Sequence, residues 1–298
     1  MKKVLIALAS VLAGACSGTP ASPSGEASPG APATGASSAA EVLVGAGDIA
    51  GCGSAGSEKT AALLDSLAGT VFTAGDNVYP HGRDEDYRDC YAPTWGRHRS
   101  RTRPSPGNHD YETPGADGYF KYFGTRAGSG GDGYYAYTLG AWRIFSLNSE
   151  VSVSAGSPQM LWLKSELDAA GPGCSAAYWH RPLVSSGPHG DNRDMRDIYR
   201  LLYDAGVEFV VTAHDHIYER FARLDPDGRP DQSRGVRQFV VGTGGTPLSP
   251  VLALRQGSEV QASEWGVIRF DLYASGYSWQ FLPVSGGVFR DSGSEQCH

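Results

Sequence analysis

Five segments rich in Asp, Asn, His or Tyr are spaced along residues 41–216, most of them directly behind a short apolar run. Glu41 to Ala46 runs into Gly47-Asp48, and Thr70 to Ala74 runs into Gly75-Asp76-Asn77-Val78-Tyr79-Pro80. The third segment is the loop Pro104-Ser105-Pro106-Gly107-Asn108-His109-Asp110, where two prolines and a glycine exclude a helix. Ser175 to Trp179 stops at His180-Arg181-Pro182, and Val207 to Thr212 stops at Ala213-His214-Asp215-His216. Apolar runs this short read as buried strands. A helix over about Ser57 to Leu67, with Ala61, Leu64, Leu67 and Ala68 on one face, separates the first two. That strand-helix-strand order opens an α/β alternation, in which ligands gather beyond the carboxyl ends of the strands.

The rest of the chain mixes this pattern with antiparallel signals. A polar helical stretch fits Asp84 to Trp95, and Gly133 to Thr138 with Trp142 to Asn148 reads as a hairpin turning at Leu139-Gly140-Ala141. Ser157-Pro158 caps and opens a helix that runs to Gly171, and a second helix covers about Asp194 to Ala205, stopping at Gly206. Arg237 to Val241, Val267 to Tyr273 and Tyr277 to Pro283 read as strands of a sheet completing the core. The Gly242-Thr243-Gly244-Gly245-Thr246 run lacks a Lys-Ser/Thr partner and a following helix, so it reads as a turn and not as a phosphate loop.

Length and 40% hydrophobic content allow one substantial core or two small ones, and a net charge of -7 argues against a nucleic-acid-binding surface. The basic run Arg97 to Arg103 reads as a solvated loop that could help attract anions.

At the N-terminus, Lys2-Lys3, the apolar stretch Val4 to Leu12 and Ala13-Gly14-Ala15-Cys16 form an export signal over residues 1–16. It resembles the bacterial lipoprotein signal, which implies a lipid on Cys16 and attachment to the outer face of a bacterial membrane. Ala13 stands where Leu is commoner, which leaves open cleavage at Ala15 and a secreted product. Residues 17–40 are Ser, Gly, Thr, Pro and Ala apart from Glu26, a disordered tether. Its root-mean-square reach is roughly 25 to 30 Å. Residues 41–298 then form the folded domain. Cys52, Cys90, Cys174 and Cys297 form an even set, which favours disulfides in an exported chain. Of three connectivities, Cys52–Cys90 with Cys174–Cys297 is preferred because the first two cysteines flank the site segments.

A strand-end Asp is commonly a turn residue, and a single His commonly a hydrogen-bonded core or surface residue. The joint pattern is different: five of eight histidines, His109, His180, His189, His214 and His216, fall in or just after these segments. Carboxylates, imidazoles, a carboxamide and a phenol together suit Fe, Mn or Zn.

Here the sequence resembles the calcineurin-like metallophosphoesterases, and within them the purple acid phosphatases. The resemblance rests on Gly47-Asp48, Gly75-Asp76-Asn77-Val78-Tyr79, Gly107-Asn108-His109-Asp110, Ala177-Tyr178-Trp179-His180 and Ala213-His214-Asp215-His216, in the family's order over about 170 residues, and continues through Tyr218-Glu219-Arg220. Ala177 and Ala213 depart from the family's usual Val and Gly at positions that do not ligate. Ala50 stands where most metallophosphoesterases place a ligating His, and Tyr79 is the replacement that marks this branch.

The resemblance implies a four-layer sandwich, two mixed β-sheets packed face to face and flanked by helices. It implies one metal on Asp48, Asp76, Tyr79 and His216, and a second on Asp76, Asn108, His180 and His214, with Asp76 shared. Fe(III) is implied at the Tyr79 site, and divalent Fe, Zn or Mn at the Asn108 site. A metal-bridging hydroxide would attack a phosphate monoester, with His109 assisting the leaving group and His189 contacting the phosphate. Two alternatives stay open on the residues: a phosphodiesterase or nucleotidase using the same site, and a non-catalytic cell-surface lipoprotein that binds metal or phosphate.

Overall fold

The structure is a computed structural model that describes residues 40–171 and 173–298. The export signal and the tether, apart from Ala40, lie outside the described residues. Among the described residues no helix is long and apolar enough to cross a membrane.

In chain order the main strands are β1 (Glu41–Ala46), β2 (Thr70–Ala74), β3 (Thr102–Ser105), β4 (Tyr135–Leu139), β5 (Trp142–Ser146), β6 (Ser175–Tyr178) and β7 (Phe209–Thr212). They continue with β8 (Tyr218–Leu224), β9 (Val236–Val241), β10 (Ser258–Ala262), β11 (Gly266–Tyr273), β12 (Gly276–Pro283) and β13 (Ser292–Gln296). A six-stranded sheet has the order β13-β12-β11-β1-β2-β3, and a seven-stranded sheet the order β10-β8-β9-β7-β6-β5-β4. In the first sheet β1, β2 and β3 are parallel while β11, β12 and β13 attach antiparallel. In the second, β5, β6, β7 and β9 are parallel, while β4 pairs antiparallel with β5, β8 with β9 and β10 with β8. Both sheets are therefore mixed, as the resemblance implies.

Period-two alternation explains how the sheets share a core. In β6 the side chains of Ala176 and Tyr178 join the cluster that includes Phe72, Ile268 and Phe270 of the other sheet. Ala177 and the following Trp179 face the opposite way, onto a second cluster with Leu163, Ile198 and Leu202 from two helices. Those helices are Pro158–Ala170 and Arg196–Asp204. Between the sheets, the Phe209 and Phe270 rings stack at 4.4 Å with planes 14° apart.

Several sequence expectations need correction. Thr102–Ser105 is a strand, so Pro104 sits in the ladder; it is tolerated because β3 is the edge of its sheet, where a missing donor costs little. The basic run is not a solvated loop. Trp95–Arg101 forms a 3-10 helix, where Arg97 forks onto Glu58 and Asp65 and Arg101 donates to the Leu64 and Gly69 carbonyls. The first helix, Ala55–Asp65, begins earlier than its pattern suggests because Ser54 accepts from the Gly56 N–H as its cap. Strands β8, β10 and β13 carry many charged and polar residues and escaped the apolar-run criterion. Cys52 is bonded to Cys90 and Cys174 to Cys297, as preferred from the sequence.

Candidate metal centre

Strands β1, β2, β3, β6 and β7 deliver their carboxyl ends to one region. β1 leads to Asp48, β2 to Asp76, β3 to Asn108, β6 to His180 and β7 to His214. The turns are tight enough that Asp48, Asp76 and His214 take left-handed backbone angles, with φ of 57°, 47° and 69°. Such angles are costly for residues with a Cβ and are held here by the surrounding loops. Gly75 must be glycine on two counts: its φ is 81°, and a Cβ there would stand 2.6 Å from the His180 ring. A Cβ on Gly107 would likewise collide with Asp76. Ala213 fits in place of a family glycine because Gly47 opposite it has no side chain to meet its Cβ.

The side chains converge. The Tyr79 hydroxyl donates to Asp48 Oδ1 at 2.7 Å and contacts Asp76 Oδ2 at 2.9 Å, with His216 Nε2 at 3.4 Å. His180 Nε2 lies 3.1 Å from Asn108 Oδ1, 3.1 Å from His214 Nδ1 and 3.3 Å from Asp76 Oδ2. Donor atoms of Asp76, His180 and His214 all lie within 4.8 Å of one another. Backbone carbonyls fix the imidazoles: His180 Nδ1 donates to Ala74 O at 2.9 Å and His216 Nδ1 to Pro247 O at 2.9 Å, which aims each Nε2 inward. The structure thus brings together Asp48, Asp76, Tyr79, Asn108, His180, His214 and His216.

The two histidines that the resemblance assigns to the reaction, His109 and His189, stand at the rim. His109 lies over Tyr79, ring centroids 4.3 Å apart, and its Nδ1 donates to Pro80 O at 2.7 Å. Its Nε2 is left 4.0 Å from Asp76 Oδ2. His189 is exposed and stacks on His214 at 4.2 Å.

Charge explains what this set suits. Burial pushes the Asp48 and Asp76 carboxyls up, but the neighbouring imidazoles overcome it and hold both below the usual carboxylate range. His180 and His216 are disfavoured as cations by burial, yet the carboxylates facing them raise His180 to about 10 and His216 to about 9. Burial, with His180 beside it, drops His214 to about 2. Burial and the two carboxylates push the Tyr79 phenol well above 10. Protons on buried imidazoles thus balance buried carboxylates, a balance that a bound cation takes over by displacing them. Seven convergent oxygen and nitrogen donors fit such a cation.

Four residues of this region carried no role in the sequence reading. Asp110 is fully buried and accepts from the Gly107 N–H at 2.9 Å, Asn77 Nδ2 at 3.0 Å and the Tyr87 hydroxyl at 2.6 Å. Burial and the Asp76 carboxylate push its own carboxyl up to about 6. Asp215, also buried, accepts the N–H groups of His189 and Gly190 at 2.8 and 3.2 Å. The Ser185 to Gly190 loop, flexible by composition, is therefore fastened. Arg181 pairs through Nε and Nη2 with Glu150, at 2.9 to 3.1 Å. The available signal was position: Asp110, Arg181 and Asp215 each adjoin a ligand-type residue in sequence.

The calcineurin-like phosphoesterase family model matches residues 41–218. The chain belongs to that family. Its relatives are purple acid phosphatases. Purple acid phosphatase 18 of Arabidopsis thaliana is 28% identical over 177 residues, which cover 55% of this chain and 39% of the relative. Purple acid phosphatase 21 of the same plant is 26% identical over 209 residues, covering 59% and 47%. The chain thus spans less than half the length of these relatives. Among solved structures, purple acid phosphatase PPD1 from yellow lupin (Lupinus luteus) seeds superposes with a TM-score of 0.69 at 18% identity, covering 87% of this chain and 54% of that one. GAP50, the anchor in the inner membrane complex of Plasmodium, also gives 0.69, at 15% identity over 88% and 90%. At these identities the superpositions speak for the fold. As a calcineurin-like phosphoesterase, the chain carries its ligand-type residues at strand ends shared by both sheets.

Proposed function

We propose that this calcineurin-like phosphoesterase is a metal-dependent phosphatase that hydrolyses phosphate monoesters outside the cytoplasm. The observation that carries the reading is the convergence of seven hard or borderline donors with a histidine, His109, standing beside that set and outside it. Asp48, Tyr79 and His216 would hold one ion and Asn108, His180 and His214 a second, with Asp76 shared. A phenolate ligand favours Fe(III) on the Tyr79 side, and the Asn108 side suits divalent Fe, Zn or Mn. When bound, such a pair clamps a phosphoryl oxygen and acidifies water into the working range.

The remaining work belongs to the chain. The Nδ1–H of His109 is committed to Pro80 O, so Nε2 is the free nitrogen; in this reading the imidazolium form gives its Nε2 proton to the leaving alkoxide and is left as the Nδ1–H tautomer. His189, stacked on His214, would contact the phosphate in this reading. Two disulfides suit an oxidising compartment. Residues 1–16 supply the export signal, Cys16 the lipid attachment and residues 17–40 the tether in this reading, with residues 41–298 as the catalytic domain.

The test compares p-nitrophenyl phosphate with bis(p-nitrophenyl) phosphate on the metal-loaded protein, wild type and His109→Ala. Monoester preference is expected, and His109→Ala lowers turnover by about 10²-fold with metal content unchanged. Diester preference, or unchanged turnover in the variant, overturns the assignment.

A further inference from the structure

Arg181, the residue after His180, is part of the wall of a cavity of about 520 Å³. The same guanidinium reaches the centre from the other side, with Nη1 3.3 Å from His214 Nε2, and Glu150 clamps it in place. Arg181 thus touches both the centre and the cavity.

The lining states what chemistry the cavity suits. Two arginines in the wall have carboxylate partners, Arg193 in Asp191 at 3.5 Å and Arg196 in Asp227, carboxylates that also pair with Arg255 and Arg229. Asp194 and Asp197 also line the cavity, and among the described residues no hydrogen bond or ion pair engages their carboxylates. Ser149, Ser152 and Ser154 add hydroxyls, and the buried Val153 and Met195 an apolar surface. A second phosphate would meet two unpaired carboxylates here, and every arginine of the wall already has a carboxylate partner. A plain aryl group would use Val153 and Met195 alone and leave the carboxylates and hydroxyls to solvent. A polyhydroxylated group satisfies both: its O–H groups donate to carboxylates and accept from guanidinium and serine, while its C–H face lies on the apolar residues.

We propose that this cavity is the leaving-group subsite and that it receives a sugar-type alcohol, so that the preferred ester is a sugar phosphate; this rests on the phosphomonoesterase reading above. Lost hydrogen bonds to charged groups of this kind cost enough to change binding by about tenfold or more.

The test is the ratio of kcat/KM for glucose 6-phosphate to that for p-nitrophenyl phosphate, measured on the metal-loaded full chain. Asp194→Ala with Asp197→Ala should lower the ratio by about tenfold, with the loss in KM for the sugar ester. Ser152→Trp, in the exposed part of the wall, fills the cavity and should lower the same ratio even if the double variant fails to fold. An unchanged ratio in the folded variants overturns the subsite while leaving the phosphatase reading intact. So does a higher wild-type kcat/KM for an ester whose leaving group bears a second phosphate. Loss of all monoester turnover in the metal-loaded wild type overturns both.

Discussion

The Asp215 carboxylate accepts the backbone N–H of His189 at 2.8 Å, and through that bond the residue between two ligand-type histidines places the ring that covers one of them. A second bond from the Gly190 N–H, at 3.2 Å, completes the clamp. Gly187 packs so closely on Asp215 that a Cβ would collide with its carboxylate. Removing the carboxylate in Asp215→Ala strands two N–H groups and should cost about 2 to 3 kcal/mol of stability. Turnover in Asp215→Ala should fall as far as in His189→Ala, and the double variant should fall little further. Steady-state kinetics with metal analysis checks this; full additivity removes the proposed link.

Asp110 serves the other side of the centre. It holds the Gly107 N–H, the Asn77 amide and the Tyr87 hydroxyl together, so it ties the turn after β2 to the turn after β3. In Asp110→Ala those donors remain buried without an acceptor, at a cost of about 3 kcal/mol. Melting should drop by roughly 6 to 12 °C for a domain of this size, and Asp110→Asn, which keeps one acceptor oxygen, should recover part of it. Calorimetry on the three proteins decides the matter.

Tyr79 contacts both carboxylates of the proposed ligand set and is the residue that stands for a family histidine. Phenolate bound to Fe(III) absorbs visible light. The iron-loaded wild type should be coloured, and Tyr79→Phe should lose the band. A colourless wild type carrying two divalent ions would refute the Fe(III) assignment.

Asp291 links the sheets away from the centre. It accepts from Tyr218 at 2.6 Å and Arg220 at 2.8 Å on β8, and from Trp279 at 3.1 Å on β12. Burial pushes its carboxyl up, but these donors outweigh burial and hold it below its ordinary 3.8. A depressed carboxylate pKa gives stability that is fully present above the ordinary value and is lost as pH falls through the folded value. Asp291→Asn should therefore destabilise by about 2 kcal/mol at neutral pH, with the gap to wild type closing below about pH 4. Urea midpoints measured from pH 7 to pH 3 provide the check.

Local chemistry determined a great deal here. Runs such as Thr70 to Ala74 and Phe209 to Thr212 are strands because a buried parallel strand is apolar on both faces, and the residue types just beyond them select a metal-binding chemistry. The ligand-type residues were legible for the same reason: each sits at a strand end, where topology alone brings the ends together. β8, β10 and β13 were not legible, because their charged side chains are accommodated by cross-sheet ion pairs such as Arg223 and Arg237 with Glu295, and by Arg237 with Glu259 within one sheet, which no local pattern reveals. The same holds around the centre. Whether Asp110 and Asp215 were solvated turn residues or buried anchors depended on what lay opposite them, as did the fastening of the His189 loop and the course of Arg97 to Arg103. A carboxylate's partners are set by contacts dozens of residues away in sequence, and only the folded chain brings Tyr87 to Asp110 or His189 to Asp215.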